Sequence, residues 1–117
     1  MKFTDMSDQE ILEIAEPIMF NLIEGSNELN YEKFSRDFSD QMSNAVTEEE
    51  LSRQMKETRP VTGLVEQRRI FIRCIRRDTG VTVLWVGFYE KKEGEVLAQL
   101  SLNGEDGNIQ VFGASIN

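Results

Sequence analysis

The apolar residues of this 117-residue chain change period near residue 60. Before that point they recur at helical spacing, and from about residue 62 to the end they recur at strand spacing. A block of helices followed by a block of strands predicts an α+β fold. Its N-terminal helices, over about 7–58, pack on a curled antiparallel sheet of about four strands over about 62–116. At this length the chain reads as one domain, residues 1–117, able to bury a single core without staples.

In the helical half, Ser7-Asp8-Gln9-Glu10 has the spacing of a capping box, with Ser7 and Glu10 satisfying each other's backbone amides. Ile11, Ile14, Ala15, Ile18 and Leu22 then form one apolar stripe, widened by Leu12, Met19 and Ile23. Pro17 inside this span removes an amide donor and predicts a kinked helix or two short ones. Gly25-Ser26-Asn27 predicts its end. Asn30 is the expected cap of a second helix, on which Tyr31, Phe34, Phe38 and Met42 share an aromatic face. Thr47-Glu48-Glu49-Glu50 reads as another capping box, opening a third helix with Leu51 and Met55 on its buried side. Pro60 is expected to end that helix and to push Arg59 toward extended geometry.

Four strands are expected, over about 64–77, 80–91, 94–103 and 107–116. The turn signals Asp78-Thr79-Gly80, Glu93-Gly94 and Glu105-Asp106-Gly107-Asn108 separate them. Connections this short predict an antiparallel meander, because parallel pairing needs long crossovers. The second strand is apolar on both faces, with Val81, Val83, Trp85 and Tyr89 on one and Leu84, Val86 and Phe88 on the other. An antiparallel sheet with one wet face would alternate apolar and polar residues. The helices cover one face, so a second copy of the chain is the expected cover for the other, giving a homodimer through the outer sheet face. The alternative is a sheet curled so tightly that its own edges and loops shield those residues.

The chain has no histidine, which removes Ser-His-Asp catalysis and the common zinc ligand sets, and no metal or cofactor is expected. Cys74 lacks a histidine to activate it and reads as a buried structural thiol. Arg68, Arg69, Arg73, Arg76 and Arg77 crowd one short stretch. With no glycine-rich loop or interleaved aromatics, they predict ion pairs across the sheet and to the acidic helices. Arg73, mid-strand between Ile72 and Cys74, is the one expected to face a partly buried site, where a guanidinium suits an anion. Tyr31, Phe34, Phe38 and Trp85, with Met19, Met42 and Met55, either line an apolar cavity or simply fill the core.

Charge is divided as sharply as period. Residues 1–57 carry 14 acids and 5 bases, against 7 acids and 8 bases over 58–117, for a net charge of −8. Such a surface repels nucleic acid and anionic membrane, and neither is an expected partner. No apolar run approaches the ~20 residues that span a bilayer. The opening Met1-Lys2-Phe3-Thr4-Asp5 lacks the apolar core of a signal peptide, and with a lone cysteine this predicts a cytoplasmic protein.

The order of elements resembles the nuclear transport factor 2-like superfamily, whose cystatin-like α+β cone wraps a curled antiparallel sheet around a long first helix. The residues that carry the likeness are Asn21-Leu22-Ile23-Glu24-Gly25, Asn30 to Ser39 with Met42, Thr47-Glu48-Glu49 with Leu51, and Asn108-Ile109-Gln110-Val111-Phe112-Gly113. They span roughly residues 10–116 and resemble most a group of small uncharacterised bacterial proteins in that superfamily. The resemblance implies a cone with a cavity, often a dimer through the sheet, in proteins that are dehydratases, isomerases, polyketide cyclases or non-catalytic binding modules. Enzymes of this kind place histidine, aspartate and tyrosine in the cone. Here histidine is missing and Asn30-Tyr31 stands where relatives often have Asp-Tyr, which points away from catalysis. Fold likeness alone licenses no reaction.

The expected function is therefore a non-catalytic binding or accessory domain with a small apolar cavity for a small molecule or a protein partner. Tyr31, Phe34, Phe38 and Trp85 would form its walls, and Arg73 or Gln99 its polar anchor. The alternatives are an isomerase- or dehydratase-like enzyme using a cavity carboxylate with Tyr31 or Tyr89, and a structural interaction module whose cone is filled.

Overall fold

The computed structural model describes residues 2–104 and 108–117. A short 3-10 turn at Phe3–Asp5 precedes four helices, α1 (Asp8–Glu28), α2 (Tyr31–Phe34), α3 (Asp40–Ala45) and α4 (Glu48–Thr62). Four strands follow, β1 (Ile70–Arg76), β2 (Gly80–Gly87), β3 (Val96–Asn103) and β4 (Gln110–Ile116). They form one open antiparallel sheet in the order β1-β2-β3-β4, the meander that the short turns predict. The turn signal at Glu105-Asp106-Gly107 lies outside the described residues.

The α1 helix starts at the predicted capping box. The Glu10 amide donates to Ser7 Oγ at 3.1 Å, and the Ser7 amide donates to Glu10 Oε1 at 2.9 Å. Pro17 does not divide the helix. Pro17 and Glu13, whose carbonyl loses its helical donor, both lie on the exposed side, where water can replace the missing bond. Nor does the helix stop at Gly25. It ends at Leu29, a non-glycine residue with φ 56°, whose amide bonds the Gly25 and Ser26 carbonyls. Gly25, Ser26 and Asn27 instead make tertiary contacts. A Cβ on Gly25 would lie 2.5 Å from the Phe34 amide nitrogen, so glycine is what lets α2 fold back against α1. The Asn27 carboxamide brackets Val65 as a strand neighbour would, donating to its carbonyl at 2.8 Å and accepting from its amide at 3.1 Å.

The predicted second helix divides into two. Asn30 caps α2 as expected, its side chain accepting from the Lys33 amide at 3.1 Å. After one turn the chain straightens along β4: the Val111 amide donates to Asp37 O at 2.6 Å and the Ser39 amide to Val111 O at 2.8 Å. Ser39 then caps α3. Pairing with an open sheet edge outcompetes helix continuation here, and it covers part of that edge. In α4, Thr47 caps the Glu50 amide at 3.3 Å, but the Glu50 carboxylate turns to Arg53 and Gln54 rather than back to Thr47. Pro60 lies inside α4 rather than ending it. Like Pro17 it is exposed, and the helix closes at Gly63, with φ 68°.

The strands are shorter than their apolar runs. Residues 64–66 meet 88–90 only through the Val65–Tyr89 bridge and two flanking bonds, Glu66 N to Phe88 O at 2.9 Å and Glu90 N to Leu64 O at 2.8 Å. Bulges fall at Ile72 in β1 and opposite the Ser101–Leu102 step, where Phe112 is the extra residue of β4. The helix-facing side of the sheet is Cys74, Val81, Val83, Trp85, Ala98, Leu100, Leu102 and Val111, all buried, and α1 lays Ile11, Ala15, Met19 and Ile23 against it. Two of the clustered arginines tie the sheet to α1: Arg69, just before β1, pairs with Glu16 at 2.8 Å, and Arg76 of β1 with Asp8 at 2.7 Å. These are the sheet-to-helix ion pairs that the arginine cluster predicts.

Gly25→Ala tests the close approach directly. In an open helix this change stabilises by up to about 1 kcal/mol; here the clash should reverse the sign and cost about 1–3 kcal/mol in urea unfolding.

Candidate functional site

A partly open cavity of about 170 Å³ lies between α1, α4 and the end of β4. Met19, Leu22 and Ser26 of α1 form one wall, and Ala114, Ser115 and Ile116 of β4 form the floor. Phe34, Met42, Val46, Val65 and Tyr89 also line the cavity. The α4 helix is the roof, contributing Leu51, Gln54, Met55, Thr58, Arg59 and Thr62. Of all α4 residues only Leu51 is fully buried, so the roof rests on the body through one apolar anchor and the half-buried Met55 and Arg59. Three methionines in the lining give walls that repack at little cost, since the side chain is unbranched and polarisable.

Most polar groups of the lining are already engaged. Thr58 Oγ1 donates to Gln54 O at 2.9 Å and Thr62 Oγ1 to Thr58 O at 3.1 Å, both back onto the helix. Tyr89 donates its hydroxyl to Ile116 O at 2.8 Å. Ser115 turns its side chain to the outer face of the sheet, where its Oγ accepts from Gln99 Nε2 at 3.3 Å. Arg59 is the only charged residue among the described lining residues. Its Nη1 donates to Asn27 O at 3.3 Å, and its Nη2 to Ser26 O at 3.2 Å and to Met55 Sδ at 2.9 Å. Two of these contacts satisfy carbonyls at the C-terminus of α1, where a cation is favoured.

The six residues expected to form the site are not brought together. Phe34 lines the cavity. Phe38 is buried behind it, the two rings edge to face at 5.1 Å. Tyr31 packs on Phe34 at 6.2 Å and donates its hydroxyl to Val46 O at 2.6 Å, tying α2 to the end of α3. Trp85 faces the helices but stands apart from the cavity. Its Nε1 donates to Glu16 Oε1 at 2.6 Å, and the Arg69 guanidinium lies 5.5 Å from its ring. Arg73 and Gln99 are on the other side of the sheet. Both pair with Leu84 across their ladders, in the register opposite to that of Trp85 and Val83, so neither can anchor a ligand in this cavity. The bulge at Ile72 sets the phase of Arg73, and no periodicity in the sequence announces it.

The sequence does not single out Arg59 as a lining residue, because Pro60 predicts extended backbone there. The signal was present all the same: Leu51, Met55 and Arg59 recur every four residues along one helical face.

No family model matches the chain, and neither the curated proteins nor the solved structures provide a match. No described helix is long and apolar enough to cross a membrane.

Two groups near the core favour their neutral forms. Burial pushes the Cys74 thiol up, with the negative charge of Asp8 adding to the effect, and burial pushes the Tyr89 phenol up. In the unfolded chain these groups ionise from their ordinary values of 9.0 and 10.0, before the folded ones do. Their contribution to stability is thus intact below about pH 9 and is lost as pH rises above it. The urea midpoint should fall above pH 9, and Cys74→Ala and Tyr89→Phe should each flatten that fall.

Proposed function

We propose that this chain is a non-catalytic binding or accessory domain whose cavity under α4 takes a small, largely apolar molecule. The observation that carries the reading is the cavity's lining: methionine, leucine and aromatic walls with a single guanidinium, the composition typical of small-molecule sites. The enzyme alternative needs a carboxylate beside a tyrosine in the cavity. No aspartate or glutamate is among the described lining residues, and both candidate tyrosines spend their hydroxyl protons on backbone carbonyls. The order of elements, helices followed by an antiparallel meander behind a long first helix, supports placing the chain in the nuclear transport factor 2-like superfamily. A thermal-shift screen against a small-molecule library should raise the melting temperature with at least one compound. Met55→Trp, which fills the space, should abolish that shift; a silent screen argues against the reading.

The outer face of the sheet supports a homodimer as the working form. Ile70, Ile75 and Leu97 are 54%, 37% and 37% exposed there, beside half-buried Leu84 and Val86, and no described element covers them. Charge favours the same face. Two helical halves rich in acids would repel, whereas the strand half is nearly neutral. Size-exclusion chromatography with light scattering should give a dimer at micromolar concentration, and Leu97→Asp a monomer of unchanged circular dichroism. A wild-type monomer would sink the dimer.

A further inference from the structure

We infer that the cavity's ligand is a small monocarboxylate, with an apolar body against the methionine walls and its carboxylate on Arg59. The inference rests on the reading of the cavity as a ligand site and names what that site selects. Size bounds the apolar body. A cavity of about 170 Å³ is close to the ~150 Å³ engineered apolar cavity that encloses one benzene, so it suits about six carbons.

Charge decides the polar end. A guanidinium carries five N–H donors. Those of Arg59 that meet protein partners reach two carbonyls and a thioether, all neutral. Among the described residues no carboxylate lies within ion-pair distance of it, and its Nε has no hydrogen-bond acceptor. The carbonyls at the end of α1 hold the guanidinium in place and offset part of its charge, but they supply no formal counter-ion beside the apolar walls. A carboxylate there completes a charge-assisted pair, which is about twice as strong as a neutral hydrogen bond. A single cation matches a single negative charge. A phosphate dianion would leave one charge unpaired next to a domain of net charge −8. A cationic ligand meets direct repulsion from Arg59.

The test uses protein labelled with 13C on its methionine methyls, titrated in parallel with hexanoate and with neutral hexanamide. Hexanoate should shift the Met19, Met42 and Met55 methyls and leave Met6, outside the lining, unmoved. It should bind about tenfold to a hundredfold more tightly than hexanamide, the range expected for a hydrogen bond to a charged group. Arg59→Gln should bring hexanoate down to the affinity of hexanamide, with circular dichroism reporting that the variant is folded. Equal binding of the two probes by the wild-type protein overturns the carboxylate inference and leaves the apolar cavity standing. If neither probe moves the three methyls, the cavity reading falls and this inference with it. The wild-type comparison needs no variant, so an unfolded Arg59→Gln does not blunt the test.

Discussion

The contact between the apolar stripe of α1 and the inner face of the sheet is the interaction on which the rest of this structure depends. Ile11, Ala15, Met19 and Ile23 are shut off from solvent against Val81, Val83, Trp85, Leu100 and Leu102. Each large aliphatic side chain buried in this way contributes about 1.5–3 kcal/mol relative to exposure. Helix and sheet each present an apolar surface that must be buried against another element, and together they form the core. Glu16 fixes how they sit, since its carboxylate accepts from both Trp85 and Arg69 while the Arg69 guanidinium lies over the Trp85 ring. An acid on the helix, an arginine beside β1 and the tryptophan of β2 are thereby held in one arrangement.

Everything beyond that contact is attached more lightly, and there the cavity forms. Gly25 lets α2 turn back on α1, and pairing of residues 37–39 with Val111 carries the chain across the sheet edge to α3. The α4 helix then returns over the far end of α1 with a mostly polar surface, held by Leu51, by the Arg59 contacts to the α1 terminus and by the thioether of Met55. A roof with one buried anchor is an element of low local stability, the kind from which ligand-binding segments are drawn. The strong core and the weak roof are two consequences of how the apolar residues are divided between α1 and α4.

Much of this was legible in the chain. Helix starts are legible because a cap joins one side chain to amides two or three residues on: Ser7, Asn30 and Thr47 all cap their helices, although the Glu50 half of the predicted Thr47 box does not form. Helix ends are less legible. Gly25, Pro17 and Pro60 are breakers only where the backbone group they affect has no alternative, and here Gly25 serves a tertiary contact while both prolines face water. The aromatic run from Tyr31 to Met42 looks like one helix by period, yet β4, more than sixty residues away in sequence, takes its middle as a pairing partner. For the site, Phe34 and the methionines were visible as apolar positions at the right spacing. The cation that lines the cavity is not legible in this way: Arg73 and Gln99 lie on the outer face, and Pro60 masks the helical position of Arg59.

The sequence by itself determined what is local or periodic: the switch from helix to strand near residue 60, the antiparallel meander, the buried thiol and the division of charge. These follow from hydrophobic period, turn chemistry and side-chain count, none of which needs a distant partner. Only the tertiary structure decided which way Arg73 points, where the aromatic helix breaks and which cation meets the cavity. Each of these depends on a bulge or on a contact between segments far apart in the chain. A single inserted residue reverses every side chain after it, and a backbone amide takes whichever acceptor the fold brings within reach.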